Sequence, residues 1–133
     1  MRKVLLMFIL LFTSASVCFA SHWFTMFDKS YLDLDSLKVD GQYVYGWIKR
    51  LNPGDWALEK NKKVSSKMIY YVADCNSKKL EILASTTYGG NNQVLSSFDV
   101  SANYNPKYGN WFSVVPETYG EVTYQFLCSS IAQ

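Results

Sequence analysis

The chain has 133 residues, of which 49% are hydrophobic, with 13 basic and 11 acidic side chains. This length fits one domain, and so small a net charge argues against the extended basic surface of a nucleic-acid-binding protein. The single histidine, His22, provides neither a credible histidine-dependent catalytic arrangement nor a usual ligand set for zinc.

Residues 1–20 have the features of a secretory signal peptide. Arg2 and Lys3 precede the apolar run Val4–Phe12, and a stretch of mostly small residues then ends at Ala20. This order of a basic, an apolar and a small-residue region is typical of a leader that is cleaved during export. We therefore expect cleavage after Ala20.

Two alternatives to a cleaved leader stay open. A membrane anchor would need an apolar run of ~20 residues, and the run here is shorter. Cys18 suggests a lipoprotein, but Val17 precedes it where a lipid-attachment signal has a small residue. We expect a mature domain at 21–133 that meets the membrane only through its leader.

Removal of the leader leaves two cysteines, Cys75 and Cys128, and eleven side chains of each charge. Exported proteins with two cysteines most often pair them. A bond between Cys75 and Cys128 would close a loop of more than fifty residues, which is worth ~4 kcal/mol in the chain-entropy account. We predict this disulfide, which ties the corner of a central hairpin to the end of the chain.

Six segments of the mature chain have the composition of β-strands and are separated by turn residues. In chain order they are 22–28, 31–35, 42–51, 67–73, 79–88 and 93–100. The Asp-Gly pair at 40–41 predicts a hairpin turn before the third strand. We expect a long exposed loop at 56–66 and another loop at 101–115, because neither segment has a regular period.

The strand at 31–35 alternates apolar residues with Asp33 and Asp35, which places both carboxylates on one face. Paired carboxylates can serve acid–base chemistry, but calcium needs six or more oxygen ligands from a loop built for it. We interpret the pair as a solvated strand face. No catalytic residue, metal site or cofactor is expected.

The end of the chain is predicted to be helical. Thr118 is a suitable N-cap, and Glu121 completes a capping box three residues later. Tyr119, Val122 and Phe126 follow at helical spacing on one face. The predicted fold is therefore α+β, a single antiparallel sheet of about six strands with a C-terminal α-helix packed on one face.

The predicted disulfide places the helix on the side of the sheet that carries Cys75. By alternation, that side also carries Ile69, Tyr71, Ala73, Leu80, Ile82 and Ala84. The opposite side carries Tyr43, Tyr45, Trp47, Met68, Tyr70 and Val72. Two interpretations of this aromatic side stay open, a set of half-exposed strand residues and a dimer or ligand surface.

The candidate binding residues are aromatic or basic. Tyr43, Tyr45, Trp47 and Tyr70 belong to the aromatic side, and Lys60, Lys62, Lys63 and Lys67 form a basic cluster. Such a cluster can meet sulfated glycans or the acidic segments of a protein. The alternative is a solvated lysine-rich loop.

Several short motifs spread over the mature chain occur in the order and spacing of a known family. They are His22-Trp23, 31–37, Val44-Tyr45-Gly46-Trp47, 70–75, 79–88, Trp111, Val115-Pro116, Gly120-Glu121 and Phe126-Leu127-Cys128. The chain in this respect resembles the surface-adhesin E family of bacterial envelope proteins. The resemblance implies an antiparallel sheet with a C-terminal helix, export to the periplasm or outer surface, and adhesion to host matrix or serum proteins, with dimerisation in some members.

The expected function is that of an exported, non-enzymatic, adhesin-like binding protein that recognises host matrix or serum proteins through the sheet face and loops. The alternative is a periplasmic structural or accessory protein that binds an envelope partner. A protein partner is expected in both cases, a homodimer is an open alternative, and no nucleic acid is expected. The segments 52–66 and 101–109 depart from the family pattern, so the ligand does not carry over.

Overall fold

The computed structural model describes residues 22–52 and 58–132, and the predicted signal peptide at 1–20 lies outside them. Within the described residues, ten strands and one α-helix follow in chain order. They are β1 Trp23–Phe27, β2 Ser30–Asp33, β3 Lys38–Asp40, β4 Tyr43–Leu51, β5 Leu58–Glu59, β6 Lys62–Lys63, β7 Ser66–Asp74, β8 Lys79–Tyr88, β9 Val94–Asp99, β10 Phe112–Ser113 and α1 Tyr119–Ser129.

Eight of these strands form one antiparallel sheet in the order β1-β2-β4-β7-β8-β10. The strand β3 pairs with β4 next to β2, and β9 pairs with β8 next to β10, while β5 and β6 form a separate hairpin. The predicted α+β fold with one sheet and a C-terminal helix is confirmed. The sheet exceeds the six predicted strands because β3 and β10 have only three and two residues, too few to show a period.

Two turns at one end of the sheet have the predicted chemistry. Asp40 pairs with Tyr43, which leaves a two-residue loop in which Gly41 has a φ of +58°. At the β7–β8 corner, the Asp74 carboxylate accepts hydrogen bonds from the N–H groups of Asn76 and Ser77 at 3.0 and 3.2 Å. Burial raises the pKa of this carboxyl, but its hydrogen bonds outweigh burial and hold the pKa below its ordinary value.

The predicted strand at 31–35 is wrong beyond Asp33. Residues Leu34–Ser36 form a 3-10 turn, because the Asp33 side chain accepts a hydrogen bond from the N–H of Asp35 at 3.1 Å. The two carboxylates therefore do not share a strand face. Asp35 instead lies 3.0 Å from His22 Nδ1, and this hydrogen bond holds the pKa of Asp35 below its ordinary value.

A β-bulge in β8 overturns part of the predicted face assignment. Tyr70 pairs with Ala84 and Tyr71 pairs with Ile82, so Leu83 is the extra residue. Ala84 therefore lies on the aromatic side with Tyr70, and not on the helix side as alternation predicted. The reason is that one inserted residue reverses the alternation beyond it.

The helix α1 packs on β4 where that strand has no side chain. A Cβ added to Gly46 would lie 3.0 Å from Leu127 Cδ2 and 3.1 Å from Leu37 Cδ2. Leu127 thus joins the larger buried cluster directly against the strand backbone. The other buried members of this cluster are Met26, Leu32, Val44, Ile48, Ala73 and Leu80.

The predicted helix is confirmed, and two residues of its predicted face, Val122 and Phe126, pack partly buried against the larger cluster. The fully buried residues of α1 are Thr123 and Leu127, whereas Tyr119 of the predicted face is 43% exposed. The burial of Thr123 was not predicted, because its small polar side chain carries little hydrophobic signal. Thr118 caps the helix as predicted. The Glu121 carboxylate accepts a hydrogen bond at 2.8 Å from the N–H of Glu117, which is one residue before the cap.

The predicted disulfide between Cys75 and Cys128 is present, with 5.7 Å between the two Cα atoms and a sequence separation of 53. A hydrogen bond supports the same contact, because the hydroxyl of Tyr124 donates to the carbonyl of Cys75 at 3.0 Å. The end of the helix is thereby fixed to the β7–β8 corner.

The prediction of an exposed loop at 56–66 is wrong for the described part of that segment. The short strands β5 and β6 pair with each other, and Val64 is only 2% exposed. Val64 packs with Leu95 of β9 in a small cluster of its own. A single apolar residue after a run of lysines gave too weak a signal for this contact.

We expect Cys128→Ser to lower the free energy of unfolding by about 4 kcal/mol, because the bond closes a 53-residue loop. Urea unfolding followed by far-UV circular dichroism measures this loss. A reductant should lower the midpoint of the wild type and leave that of the variant unchanged. An equal midpoint for wild type and variant would contradict this account.

We expect Gly46→Ala to destabilise the protein by about 1–3 kcal/mol, because the added methyl group overpacks the contact with Leu127. Gly90→Ala is the matched control, since an added Cβ there meets nothing within 4 Å, and its effect should stay within about 0.5 kcal/mol. Urea midpoints compare the two. Similar effects of the two substitutions would show that α1 does not need the bare backbone at Gly46.

Candidate functional site

The side of the sheet opposite the helix is half covered. Tyr104 and Trp111, which belong to the segment 101–111 between β9 and β10, pack there on a second buried cluster. The buried members of that cluster are Tyr45, Val72 and Leu83. We call 101–111 the covering segment. The predicted loop is therefore an ordered cover for part of the aromatic side.

A buried carboxylate holds the covering segment on the sheet. Glu81 of β8 accepts a hydrogen bond from the hydroxyl of Tyr104 at 2.6 Å and another from the N–H of Asn110 at 2.9 Å. The indole N–H of Trp111 donates to the carbonyl of Pro106 at 3.0 Å, which closes the segment on itself. Burial and the bond to Glu81 raise the pKa of Tyr104 far above its ordinary value.

The rest of the aromatic side is open. Trp47 and Tyr70 are half-buried and stack with their ring centroids 5.1 Å apart. On the same side, the ammonium of Lys49 lies 5.9 Å from the ring centroid of Trp23. We call Trp23, Trp47, Lys49, Met68 and Tyr70 the open aromatic surface. A shallow cavity of about 360 Å³ lies in it, lined by Trp23, Lys49, Ser66, Met68, Tyr88 and Asn92.

A second, smaller depression of about 300 Å³ lies where the open aromatic surface meets the covering segment. We call it the tyrosine cleft. It is lined by Lys38, Tyr45, Tyr70, Leu83, Ser101, Ala102 and Tyr104. Burial raises the pKa of Tyr45 and of Tyr70 above the ordinary value, with Asp40 adding to the shift at Tyr45 and Asp99 to that at Tyr70.

The four predicted aromatic binding residues share one side of the sheet, but they differ in exposure. Tyr43 stacks on Trp111 at 5.9 Å, and Tyr45 is buried beneath the covering segment. Trp47 and Tyr70 belong to the open aromatic surface. Tyr43, Trp47 and Tyr70 are each half-buried, and the last two belong to the part of the sheet that the covering segment leaves open.

The four predicted lysines lie apart from the open aromatic surface. Lys67 alternates with Tyr70 along β7 and therefore points to the helix side. Lys60 and Lys62 belong to the β5–β6 hairpin, where Lys62 donates to Gln93 at 3.2 Å. Hydrogen bonds to Ser96 and Thr87, with the charges of Lys67 and Lys60, hold the pKa of Glu59 below its ordinary value. Lys63 is exposed on the same hairpin.

Several residues of this side were missed at the level of sequence. Tyr104 and Trp111 lie in a segment without a period, so no pattern could assign them to a face. Lys38 could have been found, because a two-residue loop at Gly41 dictates that Lys38 faces Tyr45. Its ammonium lies 5.2 Å from the centroid of that ring.

Across residues 22–52 and 58–132, no three His, Cys, Asp or Glu side chains converge in a way that could hold a metal ion. In that same part of the chain, no helix has the length and apolar character to cross a membrane.

The fold defines a class of small α+β proteins with one antiparallel sheet and a C-terminal helix on one of its sides. Residues 23–129 match the surface-adhesin protein E family. This match covers most of the sequence, and the chain therefore belongs to that family. The predicted family resemblance is confirmed, and the protein is adhesin-like, of a family of surface proteins.

The fold is that of a solved family member. A structure of Haemophilus influenzae protein E, crystal form II, is 17% identical, with a TM-score of 0.52 over 79% of this chain and 84% of the other. A structure of protein E from non-typeable Haemophilus influenzae is 16% identical, with a TM-score of 0.52 over 83% of this chain and 77% of the other. No curated protein sequence matches the chain at a significant level.

We expect Tyr104→Phe to lower the free energy of unfolding by about 1.5–3 kcal/mol, because it removes a hydrogen bond to the buried Glu81 carboxylate. Amide hydrogen exchange at Asn110 should accelerate in the same variant. Tyr108→Phe is the control, since Tyr108 is 76% exposed. Unchanged exchange at Asn110 in Tyr104→Phe would mean that Glu81 does not hold the covering segment.

Proposed function

We propose that the protein is an exported, non-enzymatic adhesin that recognises a host matrix or serum protein through the open aromatic surface. The observation that carries this proposal is the stacked pair of Trp47 and Tyr70, which stays uncovered although the covering segment packs on the same side of the sheet. A chain that orders eleven residues to cover half of a face, and leaves the other half open, has a surface suited to a partner.

The composition of the open aromatic surface fits protein recognition. Trp, Tyr and Met are enriched in the centres of protein interfaces, where Trp and Tyr dominate the binding energy. Both carry a large apolar area on few rotatable bonds, so little conformational entropy is lost when a partner covers them. The nearby Lys49 adds a cation that can pair with an acidic group at the rim.

The basic residues of the β5–β6 hairpin extend the proposal to a separate surface. Lys60, Lys62 and Lys63 are exposed there. The hairpin lies away from the open aromatic surface, because Glu59 bonds Thr87, which pairs with Lys67 on the helix side of the sheet. A partner that covers Trp47 would leave this hairpin accessible to an acidic or sulfated group. The contribution of its lysines should therefore depend on salt, whereas that of the aromatic surface should not.

We expect Trp47→Ala and Tyr70→Ala each to weaken binding of the partner at least about tenfold, which corresponds to hot-spot side chains. The exported protein is purified and titrated against immobilised laminin, vitronectin and other matrix and serum proteins. Tyr108→Ala is the control for loss of an exposed aromatic ring, and it should leave binding unchanged. Urea midpoints identify variants that act through unfolding.

Absence of saturable binding at micromolar concentrations across that panel would remove the proposal. A soluble periplasmic pool with no protein accessible to protease on intact cells would instead favour the periplasmic accessory protein. Sedimentation of the same sample tests the homodimer, which would be supported if Trp47→Ala converted a dimer to a monomer.

A further inference from the structure

The tyrosine cleft already contains a cation that lies over an aromatic ring. Lys38 extends from β3 across the sheet, and its ammonium lies 5.2 Å from the centroid of Tyr45. Tyr70 lies beside that ring, with centroids 6.3 Å apart, and Tyr104 meets it edge-on at 6.5 Å. The ammonium thus lies over the ring of Tyr45, and Tyr70 and Tyr104 line the same cleft. Ring faces attract a cation through their quadrupole.

The fixed charges around the cleft favour a cation as well. Asp40 is on the face of β3 that carries Lys38, and Asp99 of β9 pairs with Ala84, which in turn pairs with Tyr70. Burial is the main cause of the raised pKa of Tyr45 and of Tyr70, and the charges of Asp40 and Asp99 add to it. Glu81 is bonded to Tyr104. Lys38 is the one basic side chain that lines the cleft within the described residues. Asp40, Glu81 and Asp99 therefore lie on the same side of the sheet as the cleft, whose lining contains a single lysine.

The Lys38 side chain is held in the cleft by few contacts. It is exposed and belongs to a strand of three residues at the side of β4. Among the described residues, its ammonium has a ring contact but no hydrogen bond and no carboxylate within ion-pair distance. A lysine side chain can move into solvent at little cost, because its charged end is well hydrated there.

We propose that the tyrosine cleft binds a cationic side chain of a partner protein, an arginine or a lysine, which takes the place of the Lys38 ammonium. An arginine fits well, since its planar guanidinium stacks on aromatic rings and binds carboxylates with two hydrogen bonds. The inference rests on the proposed function for the identity of the guest as part of a partner protein. The cleft then fixes the orientation of that partner next to the Trp47–Tyr70 pair.

The test uses N-acetylargininamide as the probe and its neutral citrulline counterpart as the control ligand. The ring signals of Tyr45, Tyr70 and Tyr104 are followed by nuclear magnetic resonance in the purified exported protein. We expect the arginine probe to shift these signals with a dissociation constant of the order of millimolar, as suits so small a ligand. The citrulline compound should leave the tyrosine ring signals unshifted.

Three variants make the test specific. Lys38→Met should tighten binding of the probe about fivefold, because it removes the competing cation. Asp40→Asn should weaken binding about threefold through the loss of a nearby charge. Lys107→Met is the matched control, since it removes another lysine that lies over a tyrosine ring, at 5.4 Å from Tyr108, and it should change nothing.

Equal shifts with the two ligands, or no shift at tens of millimolar, would overturn the proposed site, as would a Lys38→Met variant that binds the probe more weakly. These outcomes are independent of the proposed function. Binding of the arginine probe without binding of any matrix or serum protein would support the cleft and contradict the adhesin function. Partner binding that depends on Trp47, without any response of the cleft to the arginine probe, would support the adhesin function and contradict the cleft.

Discussion

The bond between Cys75 and Cys128 is the constraint on which the two-sided character of this protein depends. It fixes the end of α1 to the β7–β8 corner, and Leu127, one residue before the cysteine, then packs on the bare backbone at Gly46. The helix is thereby committed to one side of the sheet. Every aromatic residue that alternates to the other side must find a different cover or face solvent.

That second side is partly covered by a segment that a buried carboxylate holds in place. The carboxylate of Glu81, buried between the sheet and the covering segment, accepts hydrogen bonds from Tyr104 and Asn110. A buried charge is costly unless it is well bonded, so these two bonds hold the covering segment in one place. The cover ends short of Trp47 and Tyr70. The boundary between the covered and the open half is also where the tyrosine cleft lies.

The arrangement separates two kinds of surface on one small domain. The open aromatic surface presents apolar area, while the β5–β6 hairpin presents exposed lysines on the other side. Membership of the surface-adhesin protein E family is consistent with a protein that works by contact. The solved protein E structures share the fold of this chain at 17% and 16% identity.

The sequence by itself determined the six longer strands of the sheet, the C-terminal helix and the pairing of Cys75 with Cys128, because strand composition, an N-cap and a cysteine pair are local or countable signals. It also placed Trp47 and Tyr70 on one side. Only the tertiary structure decided which of the aromatic residues stay exposed. The bulge at Leu83 reverses alternation, and the covering segment has no period, since its position comes from distant contacts with Glu81 rather than from its neighbours in the chain.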